Sequence, residues 1–551
     1  MLKKRKYRNT AIVLCALLAL SSCGARTSGE ASSAAETPSS ETAATTVSAI
    51  DTASLFSDRD LEGTYDESAA IAIQLDGDSV ACDSDAVAIE GSRVTIGAEG
   101  VYLLSGTLTD GQIVVNAGET DKVQLVLAGA DITSSTSAAI YALEADKVFV
   151  TLAEGTENTL TNGGEYVAID DNNIDAVIFA KTDLTLNGSG SLTINAQAGH
   201  GVVSKDELTI TGGSYTVTAA SHGLSGKDSV SIAGGTFTIT SGKDGIHSEN
   251  TDDLSLGTLY IADGSFSIRA QGDAISAQGA LQIDGGTFDL YTGEGSASVE
   301  MAASTVTDPR GGGAAVQSEI AATETEDDSV SQKGIKGESI YTIYGGTFTV
   351  DSADDCLHAG GEMLLAAGTF TLSSGDDAVH CDDALTVQSG TFSIPYCYEG
   401  IEGLSITIED GVFEITSSDD GLNAGGGVDS SGFGGFAGRQ PDTFASASDC
   451  FIIINGGTFT IISTGDCVDS NGTLTINGGT LDLTCNGSGN TALDCDGTYT
   501  NNGGDVMTND GSESNPGQMG GGKGGGQPGG GRLDGANGGG TPGVQTDSSG
   551  L

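Results

Sequence analysis

Between Gly346 and Gly411 apolar and polar positions alternate in short pieces, and the whole phrase then repeats. The copies read GGTFTVDSADDCLHAGGEMLLAA, GTFTLSSGDDAVHCDDALTVQS and GTFSIPYCYEGIEGLSITIED, with turn glycines Gly346, Gly368, Gly390 and Gly411 spaced by 22, 22 and 21 residues. A fixed period of this length stacks equivalent side chains along one axis, the pattern of a solenoid. In the middle copy Phe370 and Leu372 lie two apart, Val379 stands alone, and Leu385 and Val387 are again two apart. Period two predicts strands, and no helical period competes with it. Three short strands per turn with polar or glycine corners predict an all-β fold, a right-handed single-stranded parallel β-helix with rungs of about 22 residues. Rungs stacked about 4.8 Å apart would pair every backbone and bury the inward residues in one core. The column Phe237, Phe266, Phe288, Phe348, Phe370, Phe392, Phe413 and Phe459 is then an internal aromatic ladder.

The same alternation extends in both directions. Regular rungs are expected over 176–505, interrupted near 294–331 and 425–448, the second insertion carrying Phe433, Phe436 and Phe444. Residues 61–175 carry looser strands that read as irregular first rungs and a cap over the open end. Residues 23–60 are rich in Ser, Thr, Ala and Glu and read as a flexible linker, whereas 506–551 is a Gly-rich tail. The first 22 residues join Lys3, Lys4, Arg5, Lys6 and Arg8 to the apolar run Ala11 to Leu20, too short to span a bilayer and shaped like a signal segment. Leu20-Ser21-Ser22-Cys23 resembles a bacterial lipobox, which would make Cys23 the lipidated first residue of a protein anchored on the outer face of the cell membrane. Export would remove five positive charges and no acid, taking the net charge from −55 to near −60. Such a surface excludes nucleic acid as a partner and attracts cations.

Candidate chemistry lies at the second corner of the rung. Asp355, Asp377, Glu399 and Asp420 fall in one column, and Asp354, Asp376 and Asp419 precede three of them. Three residues after each comes His358, His380, Glu402 or Asn423. Carboxylates about 5 Å apart repel by roughly 3 kcal/mol per pair at an effective dielectric near 20. A divalent cation would relieve that, and Ca²⁺ takes its ligands from carboxylates, carbonyls and water; a solvated column of turn-capping Asp is the plainer reading. Asp354, Asp355, Asp376, Asp377, Glu399, Asp419 and Asp420 are therefore the expected Ca²⁺ ligands. His200 and His222 hold the corner that Asp244 and Asp273 take next, and Asp466, Asp469, Asp494 and Asp496 follow later. Lys333 and Lys336 lie about one rung before Asp355, and no base is expected inside the dense acidic column.

SGTLTDGQIVV, LAEGTENTLTNGG, the repeated GGTFTI with DDAVH, and YEGIEG resemble a clostridial family of pectate-lyase-like, lipoprotein-type β-helix proteins known as carbohydrate-binding domain-containing, over roughly residues 65 to 500. The resemblance implies Ca²⁺ and plant cell-wall polysaccharide binding, to polygalacturonate and cellulose, without established catalysis. It places Asp376, Asp377, Glu399, Glu402, Asp419 and Asp420 in the Ca²⁺ and acid-sugar region. The expected function is thus a surface lipoprotein whose Ca²⁺ bridges its own acids to an acidic polymer, touching membrane only through its anchor. Glu402, His358 and His380 would contact the ligand. The chain lacks Trp, and Tyr396 and Tyr398 beside Glu399 could stack one sugar ring or pack at the corner.

Two alternatives belong to other classes. A Ca²⁺-dependent lyase would need Lys333 or Lys336 as its base. A surface adhesin or spacer would use Ca²⁺ only to stiffen the ladder. Beyond Cys15 and Cys23 there remain Cys82, Cys356, Cys381, Cys397, Cys450, Cys467, Cys485 and Cys495, which share no column and include no CxxC pair of the kind zinc uses.

Overall fold

The computed structural model describes residues 50–253, 255–299, 331–425, 450–514 and 516. Cys23 with the signal segment, most of the 23–60 linker, most of both insertions with Phe433, Phe436 and Phe444, and the tail beyond 516 lie outside them. The regular structure of the described chain is almost entirely strand, wound with intervening turns into a parallel β-helix. Each rung contributes three strands, as in Thr347–Ser352, Leu357–Ala359 and Met363–Leu365. The next rung repeats them in parallel register, with Phe348 opposite Phe370, Leu357 opposite Val379 and Met363 opposite Leu385. In that rung the second and third strands run on as one, Val379–Val387, because Asp382-Asp383 replaces the glycine pair Gly360-Gly361 that breaks the rung before.

The first strand of the rung carries the ladder. From Tyr215 through Phe459 the inward rings stack face over face with centroids 4.6–5.3 Å apart, and all are buried. Tyr215 extends the predicted column by one rung, its hydroxyl reaching the Gly212 carbonyl at 2.8 Å. The glycine two residues before each Phe has two reasons to be there. At Gly368, φ is +147°, and a Cβ would stand 2.7 Å from the edge of the Phe370 ring.

The N-terminal end departs from the rung pattern. Ile71–Gly77 pairs antiparallel with Ser79–Ala81, and Val87–Glu90 with Arg93–Ile96. Before them the short helix Asp58–Leu61 is capped by Ser57, and its Asp60 is buried. The Asp60 carboxylate lies 2.7 Å from Lys147 Nζ and accepts from Thr185 Oγ1 at 2.6 Å. The segment expected to be linker through residue 60 therefore ends in a buried anchor, since an acid can be buried only where it is paired.

Candidate functional site

The second corner is a continuous column of side chains: His200, His222, Asp244, Asp273, Lys333, Asp355, Asp377, Glu399, Asp420 and Asp466. The backbone fixes this order. The amide after each member donates to the carbonyl of the next, as from Gly334 to Asp355 at 2.8 Å, Ala378 to Glu399 at 3.0 Å and Gly421 to Asp466 at 2.9 Å. One acceptor of most side chains caps the next member's amide. Asp244 Oδ1 accepts from the Asp273 N–H at 2.9 Å, Asp355 Oδ1 from Asp377 at 3.1 Å, Asp377 Oδ1 from Glu399 at 3.2 Å and Asp420 Oδ1 from Asp466 at 2.6 Å. His200 and His222 do the same through Nδ1 at 3.3 Å. Asp Oδ1 and His Nδ1 are both bonded to Cγ, so the two residue types exchange at this position.

The second oxygen of each acid remains for other partners, and these divide the predicted ligands into three groups. At Asp354 and Asp355 the partner is Lys333, whose Nζ lies 3.0 Å from Asp354 Oδ1 and 2.7 Å from Asp355 Oδ2, all three side chains being buried. This corrects the expectation that no base sits inside the acidic column. The insertion before Lys333 hid its alignment, and the column places it directly beneath Asp355. His358 Nδ1 adds a contact to Asp355 Oδ2 at 2.9 Å. Burial alone would raise the Asp355 carboxyl, but Lys333 and His358 outweigh it and hold it well below the carboxylate range. Burial and then the charge of Asp355 push Asp354 up to about 7.

At Asp377 and Glu402 the partner is His380, while Glu399 beside them accepts from the Asn423 amide. His380 Nδ1 is 3.1 Å from Asp377 Oδ2 and 2.8 Å from Glu402 Oε2, and its Nε2 is 3.1 Å from Asp382 Oδ1. Burial opposes the charge on the ring, yet these three carboxylates hold His380 well above the ordinary histidine range. Their contacts to His380 distinguish Asp377 and Glu402 from the acids further along the column. Burial first, then the charges of Asp376 and Glu402, raise Asp377, and burial, then the charges of Glu402 and Asp377, raise Glu399, both well above the usual carboxylate range. Asp376 borders both groups.

The last group is different. Asp420 and Asp419 lead into Asp466, Asp469 and Asp494, and the oxygens of the latter three lie within 4.8 Å of one another. Among the described residues no ion pair reaches Asp420, Asp466, Asp469 or Asp494. Burial first, then the neighbouring carboxylates, push Asp466 and Asp469 each up to about 7 and Asp420 well above its usual range. Asn423, in register with Asp469, donates through Nδ2 to Glu399 at 2.9 Å, but its buried Oδ1 has no hydrogen-bond partner. An orphaned amide oxygen beside converging carboxylates is a donor set that fits a hard divalent cation. Sequence reasoning noted Asp466, Asp469 and Asp494 without including them among the ligands. Their place in the column was the available signal.

The remaining candidates fall around these groups. Tyr398 donates its hydroxyl to Asp419, which ties its ring to the corner, whereas Tyr396 is 38% exposed and donates to the Val299 carbonyl at 3.3 Å. The eight described cysteines are all free thiols, and only Cys82 is not buried. Burial pushes Cys356, Cys381 and Cys467 up to about 12, as packed rather than reactive thiols.

The sequence model of the carbohydrate-binding domain-containing protein family matches residues 90–378 and 376–522. A curated protein of that description from Acetivibrio thermocellus is 41% identical over 150 residues, 27% of this chain and 52% of the relative. The chain thus spans about half the length of this relative. A solved structure of a polysaccharide lyase-like protein from C. thermocellum, a gadolinium derivative, is 40% identical with a TM-score of 0.38, covering 39% of this chain and 87% of that one.

Proposed function

This chain belongs to the family of carbohydrate-binding domain-containing proteins, and from that premise we propose that it binds acidic polysaccharide through divalent cations held at the second corner of its β-helix. The protein sits on the outer face of a bacterial membrane, anchored through Cys23, with the β-helix facing outward. Ca²⁺ is the ion, and polygalacturonate is the preferred polymer, with cellulose the neutral alternative. Asp420, Asp466, Asp469 and Asp494, with the Asn423 amide oxygen, would hold the ion. When bound, it supplies open positions that accept a uronate carboxylate, which lets a strongly acidic protein retain an anionic chain. The observation that carries this reading is the cluster of acids that has no basic partner among the described residues, with the orphaned Asn423 Oδ1 in the neighbouring rung.

The acids nearer the middle of the column play a supporting part. Lys333 and His380 neutralise Asp354, Asp355, Asp377 and Glu402 internally, so these rungs hold the corner straight without an ion. The same contacts weigh against a lyase. Lys333 is clamped between two buried carboxylates, and Lys336 Nζ is 2.7 Å from Glu338 Oε1. A general base must give up such partners before it can take a proton.

Calorimetric titration of the purified, lipid-free chain tests the proposal, with oligogalacturonate and cello-oligosaccharides, in Ca²⁺ and then in EDTA. Ultraviolet absorbance of unsaturated uronate is followed in the same samples. Calcium-dependent heat with flat absorbance is expected. Rising absorbance would make the protein a lyase, and calcium uptake without heat from any sugar would leave only a stiffened spacer.

A further inference from the structure

One short stretch of the β-helix reverses the sign of its surroundings. Lys181, Lys205 and Lys227 each stand one residue past the second strand of successive rungs, in register because Ala180 pairs with Ser204 and Ser204 with Gly226. Their backbones therefore stack about 4.8 Å apart, in a column that continues as Glu249, Gln278 and Glu338. In a chain with 76 acids against 21 bases, three lysines on neighbouring rungs stand out. Pairing does not account for them. Lys181 and Lys205 are exposed and make no ion pair among the described residues, Lys205 Nζ lying 5.4 Å from the Phe179 ring. Lys227 pairs with Asp252, whose side chain is 78% exposed, and such a solvated pair holds its partners weakly.

A cleft of about 240 Å³ opens beside Lys205 and Lys227, lined also by His200, His222, His247, Ser225 and Glu249. Two of the histidines offer it protons. Nδ1 of His200 accepts the His222 amide hydrogen and Nδ1 of His222 accepts that of Asp244, both at 3.3 Å, so each neutral ring carries its proton on Nε2. Burial first, then the charge of His222, lower His200 to about 3, which keeps its ring neutral. His200 Nε2 is 3.9 Å from Asp175 Oδ2, too far for a hydrogen bond. Glu249 is the one acid in the lining, and His247 Nε2 holds it at 3.2 Å. Burial opposes the charge on His247, yet the Asp244 and Glu249 carboxylates raise it to about 9, so the acid is neutralised where it stands.

Ammonium groups, imidazole N–H groups and a serine hydroxyl thus meet at one cleft. This is a lining for an anion, since every one of these groups donates. The cleft is closed in by single side chains and takes one sugar residue rather than a polymer. Its place in the fold relates it to the acidic end of the corner: His222 and Asp466 belong to the same column, eight rungs or about 38 Å apart. One extended acidic polymer lying along the corner reaches both.

We propose that the cleft at Lys205 and Lys227 is a cation-independent subsite for a uronate carboxylate, so that the polymer is held by Ca²⁺ at one end of the corner and by lysine at the other. This rests on the reading that the chain takes acidic polysaccharide, but it needs no ion. Two solvated ammonium groups hold a single carboxylate weakly, so removing Ca²⁺ still releases the polymer.

Saturation-transfer NMR of digalacturonate with the purified, lipid-free chain in EDTA tests the subsite, with the neutral galactose disaccharide as control. Signal is expected from digalacturonate alone. It should vanish in Lys205→Gln/Lys227→Gln and persist in Asp466→Asn/Asp469→Asn/Asp494→Asn. Calorimetry in Ca²⁺ gives a second reading: the lysine variant should weaken an oligogalacturonate long enough to span about 38 Å by roughly tenfold. A trimer, which reaches the ion alone, should bind it as the wild type does. The proposal is overturned if the signal in EDTA is absent, survives the lysine variant, or is displaced by equimolar inorganic sulfate, the mark of an unselective anion site. Loss of Ca²⁺-dependent retention with the EDTA signal intact would contradict the ion bridge and leave this subsite standing.

Discussion

Metal-free protein should lose stability as pH rises from 5 to 8, and Asp466 and Asp469 supply a share of the effect that a variant can isolate. Each titrates at about 7 in the fold against an ordinary value of 3.8. Between those values the folded state binds a proton that the unfolded state has released, so stability falls as pH rises through the window. For one carboxyl the difference corresponds to ~4 kcal/mol. The two groups share one field of repulsion and are partly solvated, which reduces the joint effect to ~2–4 kcal/mol. For a chain with several hundred ordered residues that is about 2–4 °C in melting temperature. Calorimetric melts at pH 5 and pH 8, with and without Ca²⁺, read it. The metal-free melt should fall at pH 8, and Ca²⁺ should restore it there while doing little at pH 5, where protons already hold the acids neutral. His380, held above its ordinary value, loses stability in the same direction as pH rises above about 6.5. The decisive comparison is therefore with Asp466→Asn/Asp469→Asn, which should remove the share of the drop that these two acids contribute, while Asp354, Asp377, Glu399, Asp420 and His380 keep the rest. A wild type that gains stability from pH 5 to 8, or a double variant with an unchanged drop, would refute the reasoning.

Other rungs give independent checks. Phe370→Ala removes one ring from a closed stack and should cost about 3–5 kcal/mol in denaturant unfolding. Lys333→Met leaves Asp354 and Asp355 buried without their cation and should cost about 3–5 kcal/mol at neutral pH; added Ca²⁺ should recover part of it, which no effect would contradict. The seven buried thiols should resist a thiol reagent in the native state and react together on unfolding, so rapid native labelling beyond Cys82 would show that the rungs open locally.

How far the sequence could be read depended on whether a position repeats every rung. The GGTF phrase announced strand, turn and inward ring together, because the positive φ at Gly368 and the Phe370 edge each exclude a side chain there. Tyr215 lay outside the search for Phe yet stacks equally well. The acidic corner was visible as a column, but a linear sequence does not show which oxygen caps the next rung and which is left over. Nor did it place Lys333: the insertion before it broke the spacing, and only the backbone pairing from Gly334 to Asp355 restores the alignment. The proposed cation site therefore lies toward Asp466, Asp469 and Asp494, where among the described residues no basic side chain pairs with the acids. Asn423 gave no signal by type, since its importance lies in an oxygen left without a donor.

The claim that the acidic end of the corner bridges protein to polymer through Ca²⁺ is tested most directly by retention on immobilised polygalacturonate. Wild-type chain and Asp466→Asn/Asp469→Asn/Asp494→Asn are passed over the same matrix in Ca²⁺ and then in EDTA. The wild type should be retained in Ca²⁺ and released by EDTA, and the triple variant should pass through while still folding. Retention that survives EDTA, or a triple variant that binds as the wild type does, would contradict the account.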